Sequence, residues 1–210
     1  STDQGLTGLT GGNLYYVWVR SNCGATQSSW AALPTFTTAP VNNNCSGALS
    51  LIVNSGTTCT STTTGTTVAA TQSQAGCSGT ADDDVWYSFV ATATTHAVTV
   101  TPGTLTNVVL EVYSSTASCT LSTLLACVNA TTGAAAETTT LSSLSIGATY
   151  YVKVHSNANG SNQGTFTMCV TSPPPPPSND ACTGAIDITC SSSTGNNTNA
   201  ADETLVASTC

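Results

Sequence analysis

Ten cysteines are spread through the 210-residue chain, and they constrain its fold more than any other feature. No two of them form a C-x-x-C pair, and the two histidines are too few for Cys/His zinc sites. The spacing therefore favours disulfides, which form in an oxidising compartment. Because only two residues are basic and ten acidic, covalent links take the place of ion pairs. We expect a secreted protein, extracellular or at the cell surface.

The composition excludes several classes of protein. A formal net charge of −8 excludes a nucleic-acid-binding protein, which needs a basic surface to displace counterions. Ser and Thr make up 68 of the residues, and both form helices poorly. No run approaches 18 apolar residues, so we expect no insertion into a membrane.

Two internal repeats indicate a tandem array of modules. Residues 6–22 match residues 141–157, and residues 44–49 match residues 181–186. The predicted organisation is as follows: the C-terminal strands of one module (1–38), a complete module (41–172), a polyproline spacer (173–177) and the N-terminal strands of a further module (178–210).

Short segments rich in β-branched and aromatic residues recur about every ten residues, with turn residues between them, which is typical of an all-β antiparallel sandwich. Period-two alternation places Tyr150, Val152 and Val154 on a core face, with Tyr151, Lys153 and His155 on the opposite face. The predicted strands of the complete module are 49–53, 66–70, 85–90, 97–101, 109–113, 124–128, 150–155 and 164–170.

The spacing Leu144-x-x-Gly147-x-x-Tyr150 resembles the tyrosine corner of immunoglobulin-like and fibronectin type III sandwiches, in which the tyrosine hydroxyl caps the backbone upstream. Residues 9–38 resemble the last two strands of a fibronectin type III domain. The complete module is similar to repeats of large secreted bacterial surface proteins that are kin to pre-peptidase C-terminal-like and adhesin modules. The resemblance implies a non-catalytic extracellular module.

The six cysteines of the complete module allow fifteen connectivities. We expect a local link in a hairpin-like segment, a link across a Thr-rich excursion and a link from the first strand to the last. The expected pairs are Cys119–Cys127, Cys59–Cys77 and Cys45–Cys169, with Cys190–Cys210 repeating the second pair in the next module.

Cys23 and Cys182 then have no partner. One hypothesis is that residues 1–38 of one molecule complete residues 178–210 of the next, with an intermolecular Cys23–Cys182 bridge. Unpaired strand edges pair readily, and head-to-tail contacts that do not close form a filament. The alternative is that the missing strands lie in a longer tandem polypeptide. In both cases the partner is the protein itself.

Asp82, Asp83 and Asp84 form the acidic cluster of the chain. Adjacent carboxylates repel one another, and Ca²⁺ with its oxygen ligands would relieve that repulsion. No D-x-D-x-D-G loop is present, so the alternative is a solvated turn. We predict no other cofactor.

The aromatic residues have two interpretations. Trp86, with Tyr87 and Phe89, either packs in the core or forms a sugar-stacking platform, and core packing is favoured. Trp18 and Arg20, joined by Trp30, point outward and are expected to contact the neighbouring module.

Catalytic motifs are absent from the sequence. It contains neither a G-x-S-x-G nor an H-E-x-x-H motif. His96 and His155 have no acid nearby in sequence, and Glu111 and Glu137 are isolated. We predict no enzymatic activity.

Glycosylation is a further possibility raised by the sequence. Threonine runs such as 62–64 and 138–140 would carry O-linked sugars, although threonine also simply favours strands. The N-x-S/T sequons begin at Asn44, Asn129, Asn159 and Asn196.

The sequence thus predicts a secreted structural protein that builds a filament or surface stalk from disulfide-linked sandwiches. The alternative is an accessory module of a larger secreted hydrolase or adhesin that binds carbohydrate or calcium.

Overall fold

The protein is described by a computed structural model that covers residues 5–174 except Ser118, Asn159 and Ser161. One short 3₁₀ helix spans Cys45–Gly47. The strands among these residues are β1 (Leu14–Tyr15), β2 (Trp18–Val19), β3 (Asn22–Cys23), β4 (Thr26–Gln27), β5 (Ala31–Ala32), β6 (Phe36–Thr37), β7 (Leu49–Ser50), β8 (Val53–Ser55), β9 (Thr63–Thr66), β10 (Val85–Val90), β11 (His96–Pro102), β12 (Val108–Ala117), β13 (Thr120–Val128), β14 (Glu137–Leu141), β15 (Thr149–Ser156) and β16 (Thr165–Ser172).

Strands β7–β16 form two stacked sheets. Sheet 1 has the order β13-β12-β15-β10-β7, and sheet 2 has the order β14-β11-β16-β8, with β9 also paired to β16. The predicted all-β sandwich is confirmed. Two pairings, β7 with β10 and β8 with β16, are parallel. One segment supplies both β7 and β8, since it crosses between the sheets at Leu51, which is buried. No helix in the described part of the chain is long and apolar enough to cross a membrane.

The core lies between the inner faces of the two sheets. The predicted alternation is confirmed: Val152 and Val154 of β15 pack with Tyr87 and Phe89 of β10, while Trp86 lies on the outer face of sheet 1. Full burial of such side chains stabilises the fold by about 1.5–3 kcal/mol each. The threonine run 138–140 is part of edge strand β14, and its O-glycosylation stays a prediction.

The tyrosine corner is present, and it occurs twice. The amide of Ser145 donates to the Tyr150 hydroxyl at 2.9 Å, and the amide of Thr10 donates to the Tyr15 hydroxyl at 2.7 Å. The glycine three residues before each tyrosine has a positive φ, a conformation that favours glycine. The sequence repeat between residues 6–22 and 141–157 is therefore also structural at the corner.

Residues 14–37 form one antiparallel hairpin made of three short ladders. In the sandwich, by contrast, β15 and the last strand β16 lie in different sheets. The two structural copies therefore diverge after the corner and its first strand. The predicted partial module 178–210 and most of the spacer lie outside the described residues, as do Cys182, Cys190 and Cys210.

All six cysteines of the sandwich form disulfides, but the expected connectivity is wrong. The actual pairs are Cys45–Cys119, Cys59–Cys169 and Cys77–Cys127, separated by 74, 110 and 50 residues.

Strand geometry explains each of the three wrong pairs. Cys119 precedes β13 and Cys127 lies near the end of that strand. Eight residues of strand span roughly 26 Å, whereas the Cα atoms of bonded cysteines lie within about 7 Å of each other, so these two cysteines cannot pair. Cys59 and its partner Cys169 lie on the outer face of sheet 2. Cys45 and Cys77 both lie over sheet 1, so each is on the opposite side of the sandwich from the partner that we predicted.

Disulfide mapping tests this arrangement. Non-reducing digestion with pepsin at acidic pH, which suppresses disulfide exchange, followed by mass spectrometry should give linked peptides that join Cys45 to Cys119 and Cys77 to Cys127. A peptide that joins Cys119 to Cys127, or Cys59 to Cys77, would contradict the described fold.

Candidate functional site

A buried cluster of charged residues lies on the outer face of sheet 1. Glu111 of β12 and Lys153 of β15 are directly opposite in register, and the Lys153 Nζ lies 3.0 Å from the Glu111 Oε1. The His155 Nε2 lies 3.0 Å from the same oxygen. All three side chains are fully buried. The prediction that Glu111 is isolated is therefore wrong, because strand pairing brings it to His155, which is 44 positions away in the sequence.

The cluster also binds the loop that covers it. The amide of Cys77 donates to the Glu111 Oε1 at 3.1 Å, and the Lys153 Nζ donates to the Ala75 carbonyl at 2.7 Å. The Tyr113 hydroxyl donates to the second Glu111 oxygen. Burial by itself would raise the pKa of Glu111, but the hydrogen bonds from His155 and Tyr113 and the charge of Lys153 lower it to about 2.

This cluster is structural. The Lys153 Nζ lies 5.7 Å from the Trp86 ring centre and 5.8 Å from the Tyr113 ring centre, so aromatic rings and the loop separate the charges from solvent. A catalytic acid or base needs access to substrate and a pKa near the working pH, and Glu111 has neither.

The remaining candidate acid–base residues also hold backbone. The amides of Thr92 and Ala93 donate to the His96 Nε2. Glu137 accepts hydrogen bonds from the amides of Ala130 and Thr131. Both side chains are fully buried.

The three aspartates each accept hydrogen bonds from a different part of the backbone. Asp84 accepts hydrogen bonds from the amides of Ser73 and Gln74, Asp83 from the amide of Ser156, and Asp82 from the amide of Gly160. Asp83 and Asp84 are buried, so the solvated-turn interpretation is wrong for them. Burial raises the pKa of both carboxyl groups above 3.8.

No three acidic, His or Cys side chains gather into a metal-ligand set within the described ranges. The Asp82 Oδ1 and Asp83 Oδ2 are buried and lack a hydrogen-bond partner, and the calcium site stays a prediction.

The sequons differ in what surrounds them. Asn44 is exposed. The Asn129 amide nitrogen donates to the Ser78 Oγ and the Asn157 Oδ1, both at 2.9 Å, so a glycan there would displace a hydrogen bond of the fold. Asn159 and Asn196 lie outside the described residues. Glycosylation stays a prediction.

An open pocket of about 290 Å³ lies at one lateral edge of the sandwich, between β7 of sheet 1 and β9 of sheet 2. Its floor contains the Tyr87 ring, and Leu49 forms one wall. No charged side chain lines it. The lining residues are Asn42, Leu49, Thr64, Gly65, Thr66, Tyr87 and Thr165.

Gly65 is what lets this edge of the sandwich close over Tyr87. A Cβ atom at this position would clash with the Tyr87 hydroxyl and the Phe166 ring. The ring of Tyr87 packs edge-on against Phe166 with centres 6.0 Å apart, which fixes the position of its hydroxyl. A residue larger than glycine would therefore displace the floor of the pocket.

Asn42 and Tyr87 supply the buried polar groups of the pocket. The Asn42 Nδ2 donates to the Trp86 carbonyl at 3.0 Å, and the Trp86 amide donates to the Asn42 carbonyl at 2.9 Å. Burial raises the pKa of Tyr87 to about 12, although a hydrogen bond with Asn42 acts in the opposite direction and lowers it. The phenol is therefore neutral at physiological pH and both donates and accepts hydrogen bonds.

Fold and disulfides together define a disulfide-bonded β-sandwich module. Residues 41–168, more than half of the chain, match the model of the galactose-binding domain-like family associated with the type IX secretion system (T9SS). The chain belongs to this family.

A solved structure is also similar to the chain: the pre-peptidase C-terminal domain of a collagenase from Bacillus anthracis, at 16% sequence identity and a TM-score of 0.38, over 59% of this chain and 93% of that one. No curated protein matches the chain. The secretion-associated family and the three disulfides indicate a secreted or surface protein.

Sequence reasoning missed both the buried cluster and the edge pocket. The cluster had a faint signal, since Lys153 and His155 alternate with core residues on β15 and Lys153 is the chain's single lysine. The pocket depends on which strands lie at the sheet edges, and no local pattern reports that.

The buried carboxyl groups predict a bell-shaped dependence of stability on pH. The pKa values of Asp83 and Asp84 are raised in the folded state, so as pH falls these groups bind protons in the folded state before they do in the unfolded state. The free energy of unfolding should therefore rise as pH falls from 7 towards 4. Because the pKa of Glu111 is lowered in the folded state, the free energy of unfolding should fall by about 3 kcal/mol as pH falls from 4.5 to 2.

Urea unfolding across this pH range measures the effect. Asp83→Asn should reduce the rise between pH 7 and pH 4, because one of the two buried acids is then always neutral. A wild-type stability that falls steadily from pH 7 to pH 4 would contradict the assignment.

Proposed function

We propose that residues 41–172 are a non-catalytic accessory module of a secreted protein and that the edge pocket binds a neutral sugar. The observation that carries the proposal is the uncharged lining of the pocket. The family name, galactose-binding domain-like, supports the same ligand class.

The chemistry of the lining suits a sugar ring. Hydroxyl groups of Thr64, Thr66 and Thr165, together with the neutral phenol of Tyr87, donate and accept hydrogen bonds as sugar hydroxyls require. Leu49 offers an apolar wall to the C–H groups of the ring. A charged ligand would lose its hydration without gaining a counter-charge, so the lining selects against it.

The volume also fits a small ligand. Ligand pockets typically measure about 300–1,000 Å³, and this one, at about 290 Å³, is at the lower end of that range. Because it opens at the sandwich edge, one end of a bound sugar stays in solvent. The pocket therefore suits the terminal sugar of a glycan chain.

Blocking the pocket tests the proposal. D-galactose and D-glucose are titrated into the 210-residue protein while backbone amide shifts are followed by NMR. We expect saturable shifts at the edge pocket with a Kd of about 1 mM, equivalent to about 4 kcal/mol, for at least one of the two sugars. Leu49→Trp, which places a large ring at the pocket mouth, should weaken binding at least tenfold.

Ile52→Trp is the matched control. Ile52 is 66% exposed and is not part of the pocket lining, so this variant adds the same ring and should bind as the wild type does. Absence of saturable shifts with both sugars, or equal loss in both variants, would refute the sugar site.

A second candidate function, assembly into a filament or stalk, is favoured by one face of the hairpin. By alternation, Val17 and Val19 lie on the same face of the hairpin as Tyr15. Phe36 stacks on Tyr15 on this face, with ring centres 5.7 Å apart. Phe36 and Val19 are 37% and 44% exposed. A two-stranded hairpin alone is marginally stable in water, so this face suits further strands, either of a tandem module or of a second molecule with a Cys23–Cys182 link.

Sedimentation velocity tests assembly between molecules. The 210-residue protein should form species larger than the monomer as its concentration rises, and Cys23→Ser, which removes the exposed free thiol, should reduce them. A monomer at all concentrations would contradict assembly in trans and leave the tandem arrangement.

A further inference from the structure

We propose that the outer face of the hairpin is a second binding site, for a polysaccharide that carries carboxylate groups. The site consists of Tyr16, Trp18, Arg20 and Trp30, which we term the aromatic strip. It lies outside the family-matched region 41–168 and does not depend on the sugar pocket.

Strand alternation places the strip on one face. Tyr16, Trp18 and Arg20 are two residues apart and so point to the same side. Trp18 is opposite Ala32 in the register, which places Trp30 opposite Arg20. Tyr16, Trp18 and Trp30 are 61%, 54% and 59% exposed, and the predicted contact of this face with a neighbouring module stays a prediction.

The repeated tyrosine corner identifies this face as the outer one. Tyr15 makes the same hydrogen bond as Tyr150, and in the sandwich Val152 and Val154 follow Tyr150 on the core side. By the same alternation Val17 and Val19 form the inner side of the hairpin. The strip therefore stays exposed even if further strands cover the inner side.

The rings form a surface for stacking. Tyr16 and Trp18 are nearly parallel, with ring centres 6.0 Å apart, and Trp18 and Trp30 line an open groove of about 490 Å³. The C–H face of a pyranose ring is apolar, and it packs on exposed aromatic rings that keep few rotatable bonds. A groove with rings along its length suits successive sugars of a chain.

Arg20 adds charge selectivity. Its guanidinium carbon lies 4.5 Å from the centre of the Trp30 ring, and stacking leaves the N–H groups at the guanidinium edge available for bidentate pairing with a carboxylate. The ion pairs of the described residues all involve Glu111, so Arg20 has no carboxylate partner among them. The other basic residue, Lys153, is fully buried.

The area of the strip argues for a glycan rather than a protein. Three aromatic side chains of about 150–250 Å² each, a little more than half exposed, present roughly 300–400 Å². A stable protein interface needs about 800 Å² from each partner. With a net charge of −8 on the chain, the strip is also where an anionic chain meets a positive charge.

Isothermal titration calorimetry with a hexamer of galacturonic acid and with neutral cellohexaose tests the proposal. We expect the 210-residue protein to bind the uronate at least tenfold more tightly than the neutral chain. Trp18→Ala should weaken binding of both at least tenfold. Arg20→Gln should abolish the preference for the uronate and leave neutral binding unchanged.

Two controls keep the result specific. Ile146→Ala changes a side chain that is 67% exposed on the sandwich and should have no effect, and Leu49→Trp blocks the edge pocket without touching the strip. Loss of uronate binding in either control would overturn the assignment to the strip. Equal affinity for the two hexamers, or no heat of binding with the uronate, would also overturn it. So would self-association of the chain that Trp18→Ala abolishes, because the strip would then be a contact between protein molecules.

Discussion

The carboxylate of Glu111 is the group that holds the loop before β10 over the outer face of sheet 1. It is buried on the outer face of sheet 1, where an unpaired charge would be costly. Lys153 and His155 of β15 pair with it from one side, and the Cys77 amide donates a hydrogen bond to it from the other. Loss of one partner from a buried ion pair typically costs about 3–5 kcal/mol. The loop before β10 is therefore held as part of the fold.

The disulfides repeat this constraint in covalent form. Cys77–Cys127 joins the same loop to β13, and Cys45–Cys119 joins the 3₁₀ helix to the start of that strand. A concave surface with buried polar groups lies elsewhere, in the gap between β7 and β9, where Gly65 allows close packing over Tyr87.

Local sequence patterns predicted what local physics decides. Strand β10 was predicted with its observed bounds, the inner and outer faces of β15 were assigned correctly, and the spacing before Tyr150 identified the corner. Disulfide connectivity was not predictable, because it follows from which face of which sheet each cysteine reaches. The Glu111–Lys153 pair likewise depends on the register of β12 against β15, which is a long-range property.

Native-state hydrogen exchange of the Cys77 amide tests the central claim most directly, since this single N–H joins the covering loop to the buried carboxylate. The account predicts protection comparable to that of the core amides of β10 and β15, because the loop then opens only when the sandwich unfolds. Exchange of the Cys77 amide at the rate of an exposed loop, while the strands stay protected, would contradict it.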